Sequence, residues 1–513
     1  MIQQIDYPLE LRDIVVIGRL SARARTLSVR PKLSGEYTLF LWPQYFPEKQ
    51  WIVRHDLSFP NQSSPPARVV FDLDEQQRLR SFASWEWALM QRSSAEEWLP
   101  ASEALFTERS VAKGTLQFEE NIGSEEVRTV VWSCHQPFMD KDGDLQLDPH
   151  TEPILQWYGA LMDQFVPHAI WGFGDNAYAD ATKASNVPDQ VYNDEGWQDY
   201  DDNVQQLRYA YSRMYRYHWS FTEFRQVLAT YPHLMMWDDH EIRDGWGSED
   251  SDWSVGNLAM FSVAKEVAEQ YILNVGGPRI RPEGEAHKAY IDGVQAVFLT
   301  DTRTTRHYVD PGGQLFSEEQ LDDLYRFNEI VAADHNVRYY LLGTTVPFLY
   351  VSDSFESAGS QAPKFLTDMM AGVRDDLRDS WSSPGNKEAL KKVLSALRHL
   401  QLRRPDLHIV NISGDIHVAN AFELLPPGFL RPIYQITTSA LTNRSHMPDM
   451  VAQLIGIGDF AFSPEIGLIR RLWQDITDPN VLCITATAER LALNLKILPV
   501  DDSKNTDQQV ILS

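Results

Sequence analysis

The chain has 513 residues, 43% of them hydrophobic and 23% charged, with a formal net charge of −26. That length exceeds what one hydrophobic core usually supports, so two domains, or one large α/β domain with a smaller companion, are expected. The negative excess repels phosphate backbones and anionic lipid surfaces, arguing against nucleic-acid or stable membrane partners, while its carboxylates suit hard divalent cations.

Only two cysteines occur, Cys134 and Cys483, too few for a disulfide framework. The start, Met1-Ile2-Gln3-Gln4-Ile5-Asp6, lacks a basic region followed by an apolar core, and no apolar run reaches membrane-spanning length. A cytoplasmic location with no obligatory protein partner is the resulting expectation.

Residues 1–125 alternate short apolar runs such as Ile14-Val15-Val16-Ile17 and Tyr37-Thr38-Leu39-Phe40-Leu41 with Pro and Ser clusters. This pattern predicts a β-rich, sandwich-like accessory domain with one helical interruption near Ser84 to Gln91. From residue 126 onward, strands separated by longer helical patterns predict an α/β domain reaching residue 513. Val130 to Ser133 reads as a strand delivering Cys134, His135 and Gln136, followed by a helix over Glu152 to Gln164. Ala169 to Gly174 is a strand ending at Asp175, followed by an acidic insert containing Asp189, Asp194, Glu195, Asp199, Asp201 and Asp202.

Helices over Val204 to Tyr217 and Thr222 to Ala229 precede a short apolar strand, Leu234-Met235-Met236, which runs into Trp237-Asp238-Asp239-His240-Glu241. Tyr290 to Thr300 reads as one strand ending at Asp301, with Arg303 and Arg306 beyond it. Ser317 and Gln320 form a capping-box pattern that starts a helix reaching about Ala333. Val337 to Val346 is a strand, Lys387 to Leu400 an amphipathic helix, and Leu407 to Ile412 a strand ending at Asp415 and His417. The tail, Ile433 to Ala440 and Val481 to Leu498, predicts further strands and a frayed polar end.

Five strands thus end in polar chemistry, and ligands in open α/β sheets gather beyond the carboxyl ends of strands. Carboxylates and imidazoles suit divalent or trivalent metals, and a thiolate with a phenolate fits a strongly Lewis-acidic ion. With two metals roughly 4 Å apart, Asp175 would bridge them and the pair would generate hydroxide at neutral pH. Arg303 and Arg306 would supply bidentate donors to phosphate oxygens. Each residue also has an ordinary reading: a buried thiol for Cys134, a hydrogen-bonded ring for Tyr178, a turn carboxylate for Asp175, surface arginines, and a core histidine for His417. These ordinary readings would all have to hold together.

The sequence resembles the PhoD-like alkaline phosphatases, a branch of the calcineurin-like metallophosphoesterases. The resemblance rests on Ser133-Cys134, Gly174-Asp175-Asn176-Ala177-Tyr178-Ala179-Asp180, Trp237-Asp238-Asp239-His240-Glu241, Asp301-Thr302-Arg303 and Ser413-Gly414-Asp415-Ile416-His417. It implies a two-layered ββ sandwich flanked by helices, preceded by a smaller N-terminal β-rich domain. It also implies Fe(III) with Ca(II), other divalent metals being alternatives. By that resemblance Cys134 and Tyr178 bind iron, Asp175 bridges, and Asp239, Asp415 and His417 complete the metal shell. His240 takes the position that donates a proton or steadies phosphate. His135 stands where the family more often has Gln, leaving it as an unplaced ligand or supporting donor.

The expected function is metal-dependent hydrolysis of a small phosphorylated substrate by a metal-bound hydroxide, with His240, Arg303 and Arg306 as catalytic groups. The alternatives are a phospholipase D-type phosphodiesterase on the same scaffold and a catalytically silent metal-binding module.

Overall fold

A computed structural model describes residues 5–44, 52–74, 83–92, 110–118, 126–180, 182, 186–188, 200–309, 312–349, 380–443, 460–464, 466–500 and 505–513. The chain opens with β1 (Ile14–Ser21), β2 (Ala24–Arg30), β3 (Gly35–Pro43), β4 (Val53–Phe59), β5 (Ala67–Asp72), β6 (Ser84–Gln91) and β7 (Ser110–Gln117). Next come β8 (Glu126–Trp132), β9 (Phe138–Lys141), β10 (Asp144–Leu147), α1 (Thr151–Phe165), β11 (Ala169–Phe173), α2 (Tyr200–His218), α3 (Thr222–Thr230), β12 (His233–Met236) and α4 (Val255–Ala268). A second set holds β13 (Lys288–Asp292), β14 (Gln295–Leu299), α5 (Glu318–Ala333), β15 (Tyr339–Gly343), α6 (Lys387–Arg403), β16 (His408–Ser413), β17 (Ala419–Leu425) and β18 (Ile433–Thr437). The chain closes with β19 (Phe460–Ser463), β20 (Gly467–Ile476), β21 (Asn480–Thr487), β22 (Leu491–Ile497) and β23 (Gln508–Leu512).

Two large sheets form the body. One has nine strands in the order β23-β22-β21-β8-β11-β12-β1-β2-β5, the other eight in the order β13-β14-β15-β16-β18-β17-β20-β19. Their central strands are parallel and in register: Gly172 of β11 lies opposite both Trp132 of β8 and Met235 of β12. In the second sheet Leu299, Gly343 and Ile412 line up across β14, β15 and β16.

Strands buried on both faces need apolar residues at nearly every position, which is why these runs lack polar alternation. Val131, Trp171, Leu234 and Met236 point inward against Val297, Leu299, Leu341, Val410 and Ile412 of the facing sheet. Their neighbours Val130, Trp132, Ile170 and Met235 point outward into the layer formed by α1 to α4. Phe298, Tyr340, Leu342 and Ile409 meet α5 and α6 on the other side. Each fully buried large side chain contributes about 1.5–3 kcal/mol, so this four-layer packing fixes the strand ends firmly. The arrangement is the expected two-layered ββ sandwich flanked by helices.

The sheets touch where their parallel strands end. Ser133 makes a parallel bridge with Ala440, and Leu441 donates its N–H to the Ser133 carbonyl at 2.8 Å. A Cβ on Gly414 would stand 2.5 Å from Ser133 Cβ, so this close approach requires glycine.

The early region is β-rich, but β1 pairs in parallel with β12, and β1, β2 and β5 belong to the nine-stranded sheet. The expected boundary at residue 125 is therefore crossed by a continuous sheet. The four-stranded sheet β4-β3-β6-β7 packs through Leu39, Leu41, Trp85, Trp87 and Leu89 on Val15, Ile17, Leu27 and Val29.

Ser84 to Gln91 is a strand, not the expected helix. It pairs with β3 and β7 on its two sides, and alternate residues Trp85, Trp87 and Leu89 enter the core at a period of two. Tyr290 to Thr300 is part of a hairpin: Asp292 pairs with Gln295 around Gly293, whose φ of 56° suits the tight turn. The tail is paired rather than frayed, because β23 adds to β22 and Lys496 Nζ meets Asp507 Oδ2 at 2.7 Å. Asp189, Asp194, Glu195 and Asp199 lie outside the described residues, while Asp201 and Asp202 fall in the first turn of α2. No described helix is long and apolar enough to cross a membrane.

Candidate metal centre

The site begins as backbone geometry. Beyond β8 and β11 the loops cross-link, Cys134 N–H donating to Gly174 O at 3.3 Å and His135 N–H to Asp175 O at 2.8 Å. Among the described residues six non-glycines have positive φ, and four of them are Cys134 (56°), Asp175 (52°), Asp415 (72°) and His417 (52°). Left-handed backbone at a non-glycine costs on the order of 1–3 kcal/mol and persists only where the surroundings enforce it. Its concentration at these turns aims four side chains from two sheets into one volume.

Three sets of side chains place ligand atoms within 4.8 Å of one another: Cys134, Asp175 and His417; Asp175, Asp239 and His240; and Asp238, Asp239 and Asp415. Asp175 belongs to two sets, as does Asp239. The Tyr178 hydroxyl donates to Asp175 Oδ2 at 3.1 Å and lies 3.1 Å from His417 Nε2. The Cys134 thiol donates to Asp175 Oδ2 at 3.4 Å. All six expected metal-binding residues, Cys134, Asp175, Tyr178, Asp239, Asp415 and His417, thus surround one volume. Cys134, Asp175, Tyr178 and Asp239 are buried, while Asp415, His417 and His240 form the more exposed side.

The electrostatics call for a cation. Burial, reinforced by Asp239, Asp238 and Glu241 against the pull of His240, raises the Asp175 carboxyl well above its ordinary range. Burial and then Asp175 and Asp415 likewise push up the Cys134 thiol, and burial with Asp175 raises the Tyr178 phenol. Groups forced to hold protons by one another are the groups a bound cation would ionise. Asp175 Oδ1 is buried with no hydrogen-bond partner, so one carboxylate lone-pair face in the centre awaits an electrophile. The donor set therefore fits a metal.

Supporting residues hold this geometry. Glu241 accepts N–H donors from Asp175 at 3.1 Å and Asp238 at 2.7 Å through Oε2, and from the Asn176 backbone and side-chain amide (3.0 Å) through Oε1. It ties the exits of β11 and β12 together. Burial lifts its carboxyl to about 7 despite these donors. His240 Nδ1 faces Asp180 Oδ1 at 2.7 Å. Burial opposes charging that imidazole, but Asp180, Asp239 and Asp175 outweigh it and hold His240 well above its ordinary range.

Arg303 and Arg306 are both fully buried. Arg303 Nε pairs closely with Asp238 Oδ1, Nη2 reaches Asp239 Oδ1 at 3.3 Å, and Nη1 reaches Trp246 O at 3.3 Å. Its fork is turned onto the Asp238-Asp239 pair instead of standing open for phosphate. Asp239 is held down at about 2: burial acts the other way, but Arg303, His240 and Arg306 prevail. Arg306 donates from Nη2 to Ser248 Oγ at 3.1 Å.

His135 turns away from the centre. Its Nδ1 meets Thr442 Oγ1 at 3.0 Å, its Nε2 meets His218 O at 2.9 Å, and its ring stacks on Phe224 at 4.2 Å. Asp301 is a turn anchor, accepting from Trp237 Nε1 at 3.0 Å, Arg303 N at 3.1 Å and Ala286 N at 2.7 Å. Two roles went unassigned in the sequence. Asp180 orients His240, although it sits within the Gly-Asp motif stretch. His218 meets Tyr178 N–H with Nε2 at 3.2 Å, while its Nδ1 meets Met214 O at 2.9 Å; no spacing rule pointed to it. Burial, then the neighbouring His135, lowers His218 to about 3, so it is neutral and its Nε2 accepts.

A family model described as PhoD-like phosphatase matches residues 149–453, more than half of the chain. An uncharacterized protein of Saccharomyces cerevisiae, YGR266W, is 23% identical over 331 residues, covering 52% of this chain and 46% of its own length. The chain thus spans about half the length of that curated relative. The solved structure of PhoD aligns with a TM-score of 0.62 at 13% identity, over 100% of this chain and 90% of that one. Purple acid phosphatase PPD1 from yellow lupin (Lupinus luteus) seeds aligns with a TM-score of 0.57 at 10% identity, over 97% and 74%. At such identities the structural likenesses establish the fold; the family match establishes that the chain belongs to the PhoD-like phosphatases.

Proposed function

We propose that this PhoD-like phosphatase hydrolyses phosphoric esters at a multinuclear metal site centred on Asp175. The observation that carries the reading is the position of Asp175, common to two donor sets, with one buried oxygen lacking any partner. Cys134, Tyr178 and His417 would hold one ion beside it, and Asp239 and Asp415 a second. The thiolate and phenolate suit Fe(III), and the all-carboxylate side suits Ca(II) or another hard divalent ion. When bound, such ions supply Lewis acidity toward phosphoryl oxygen and lower the pKa of water.

The chain's own groups would do the rest. His240, on the more exposed side and aligned by Asp180, is placed to give a proton to the departing alcohol oxygen. Its 4.2 Å ring contact with Tyr178 keeps it beside the ligand cluster. Arg303 acts by holding Asp238 and Asp239 in place, and Arg306 adds positive charge near Asp239. Trp237, Trp246 and Phe173, from the same strand exits and the loop beyond β12, are all buried.

The test is elemental analysis of the purified protein beside assays with p-nitrophenyl phosphate and bis-p-nitrophenyl phosphate. Bound iron with calcium and turnover of either ester are expected, both lost in Asp175→Asn. The ratio of the two rates separates a monoesterase from a phospholipase D-type phosphodiesterase. Metal-free protein that stays inactive after iron and calcium are supplied would overturn the reading.

A further inference from the structure

We propose that Trp253 and His307 form an aromatic shelf at the rim of the metal centre, which holds the organic part of phosphoesters carrying an aryl or other extended apolar group. The proposal rests on the phosphoesterase reading above and adds a substrate class to it.

The shelf is built, not incidental. The rings of Trp253 and His307 lie 4.7 Å apart at 53°. Trp253 follows a loop pinned by buried Asp252, which accepts from Gly247 N at 2.9 Å and Glu249 N at 3.2 Å and pairs closely with Arg243. His307 is clasped from the other side, because Tyr308 donates its N–H to Gly247 O at 2.7 Å and Arg306 donates to Ser248 Oγ. An aromatic already held in one orientation loses little rotamer freedom when a ligand stacks on it.

The location gives the shelf its meaning. The loop that leads to Trp253 passes through Gly245, whose N–H donates to Asp239 Oδ2 in the metal centre at 2.7 Å, and His307 directly follows the buried Arg306. The loop that carries Trp253 also carries Trp246, whose carbonyl receives Arg303. Beyond the ring pair two exposed apolar side chains share one face of α4, Val255 at 88% and Leu258, three residues later, at 36%, flanked by the exposed polar residues Glu249, Asp250, Ser251 and Ser254. Trp253 itself is 37% exposed. A phosphoryl group at the metal centre would thus have its ester substituent extend past an aromatic margin, where a small alcohol gains nothing and a ring gains stacking area.

Non-hydrolysable phosphonates separate this proposal from catalysis. (1-Naphthylmethyl)phosphonate and methylphosphonate are titrated calorimetrically into metal-loaded wild type, Trp253→Ala and Trp253→Phe. The naphthyl compound should bind wild type about tenfold tighter, as expected for one aromatic stacking contact with its buried area. That ratio should fall to within about twofold of unity in Trp253→Ala and persist in Trp253→Phe. A wild type that binds both equally, or a preference unchanged in Trp253→Ala, overturns the shelf and leaves the phosphoesterase reading intact. A loaded protein that binds neither phosphonate overturns the shelf and the phosphate-binding reading together.

Discussion

The Tyr178 hydroxyl lies 3.1 Å from His417 Nε2, although 239 positions separate the two residues in sequence. Tyr178 follows the exit of β11 in one sheet, and His417 follows β16 in the other. Their contact exists because the two sheets stack with their parallel strand ends aligned, and it gives the centre a phenol poised between an imidazole and the Asp175 carboxylate.

Tyr178→Phe removes that oxygen while retaining the ring. Iron-loaded wild type is expected to absorb visible light through the phenolate, and the variant to lose the band with its iron content measured in parallel. A band of undiminished intensity in the variant would remove Tyr178 from the ligand set.

Glu241→Gln replaces a carboxylate that receives four N–H donors with an amide that offers one oxygen and two hydrogens. At least two donors lose their acceptor, and a loss of about 2–4 kcal/mol is expected for a buried charged group of this kind. Urea unfolding checks it. The same variant should bind metal more weakly, because Glu241 fixes the turns carrying Asp175 and Asp238.

Asp180→Asn leaves His240 without its 2.7 Å carboxylate partner. The expected outcome is a fall in kcat of about 10²-fold for alkyl phosphates, whose leaving oxygen needs a proton. A much smaller fall is expected for p-nitrophenyl esters, whose leaving group departs unaided. Equal losses on both classes would assign Asp180 to architecture alone.

Lys288 supplies a pH dependence of stability remote from the ligands. Its Nζ is buried and donates to Met235 O at 3.1 Å and Gly276 O at 2.5 Å, and burial, then Arg279 and Arg68, lowers its pKa from 10.5 to about 7. Between those two values the unfolded chain holds a proton that the folded chain does not, so stability should rise with pH from about 7 toward 10.5. The slope from this group approaches about 1.4 kcal/mol per pH unit at most. Denaturant curves at pH 7 and pH 9 should show a steeper rise for wild type than for Lys288→Met, whatever the variant's absolute stability. Parallel slopes would mean that Lys288 stays charged in the fold.

Much of the site was legible in the primary structure because metal chemistry restricts residue types. Asp175, Tyr178, Asp239, Asp415 and His417 sit in short motifs at strand exits, where polar residues after an apolar run stand out. The apolar runs themselves identified most of the strands and helices, since a strand covered on both faces has no other viable composition. Ser84 to Gln91 was misread because Trp85, Glu86 and Trp87 suit either a strand or a helix, and the arbiter was pairing on both sides with β3 and β7.

What only the tertiary structure decided is orientation and pairing. His135 and Cys134 are adjacent in sequence, yet one faces the metal volume and the other stacks on Phe224. Arg303 has the composition of a phosphate clamp, but its fork is taken up by Asp238 and Asp239. The apparent break at residue 125 is joined by hydrogen bonds between β1 and β12. Residue type sets which chemistry a side chain can perform and is carried by the sequence alone. Direction and partner depend on backbone angles and on contacts between segments hundreds of residues apart, which form only when the two sheets close over their shared core.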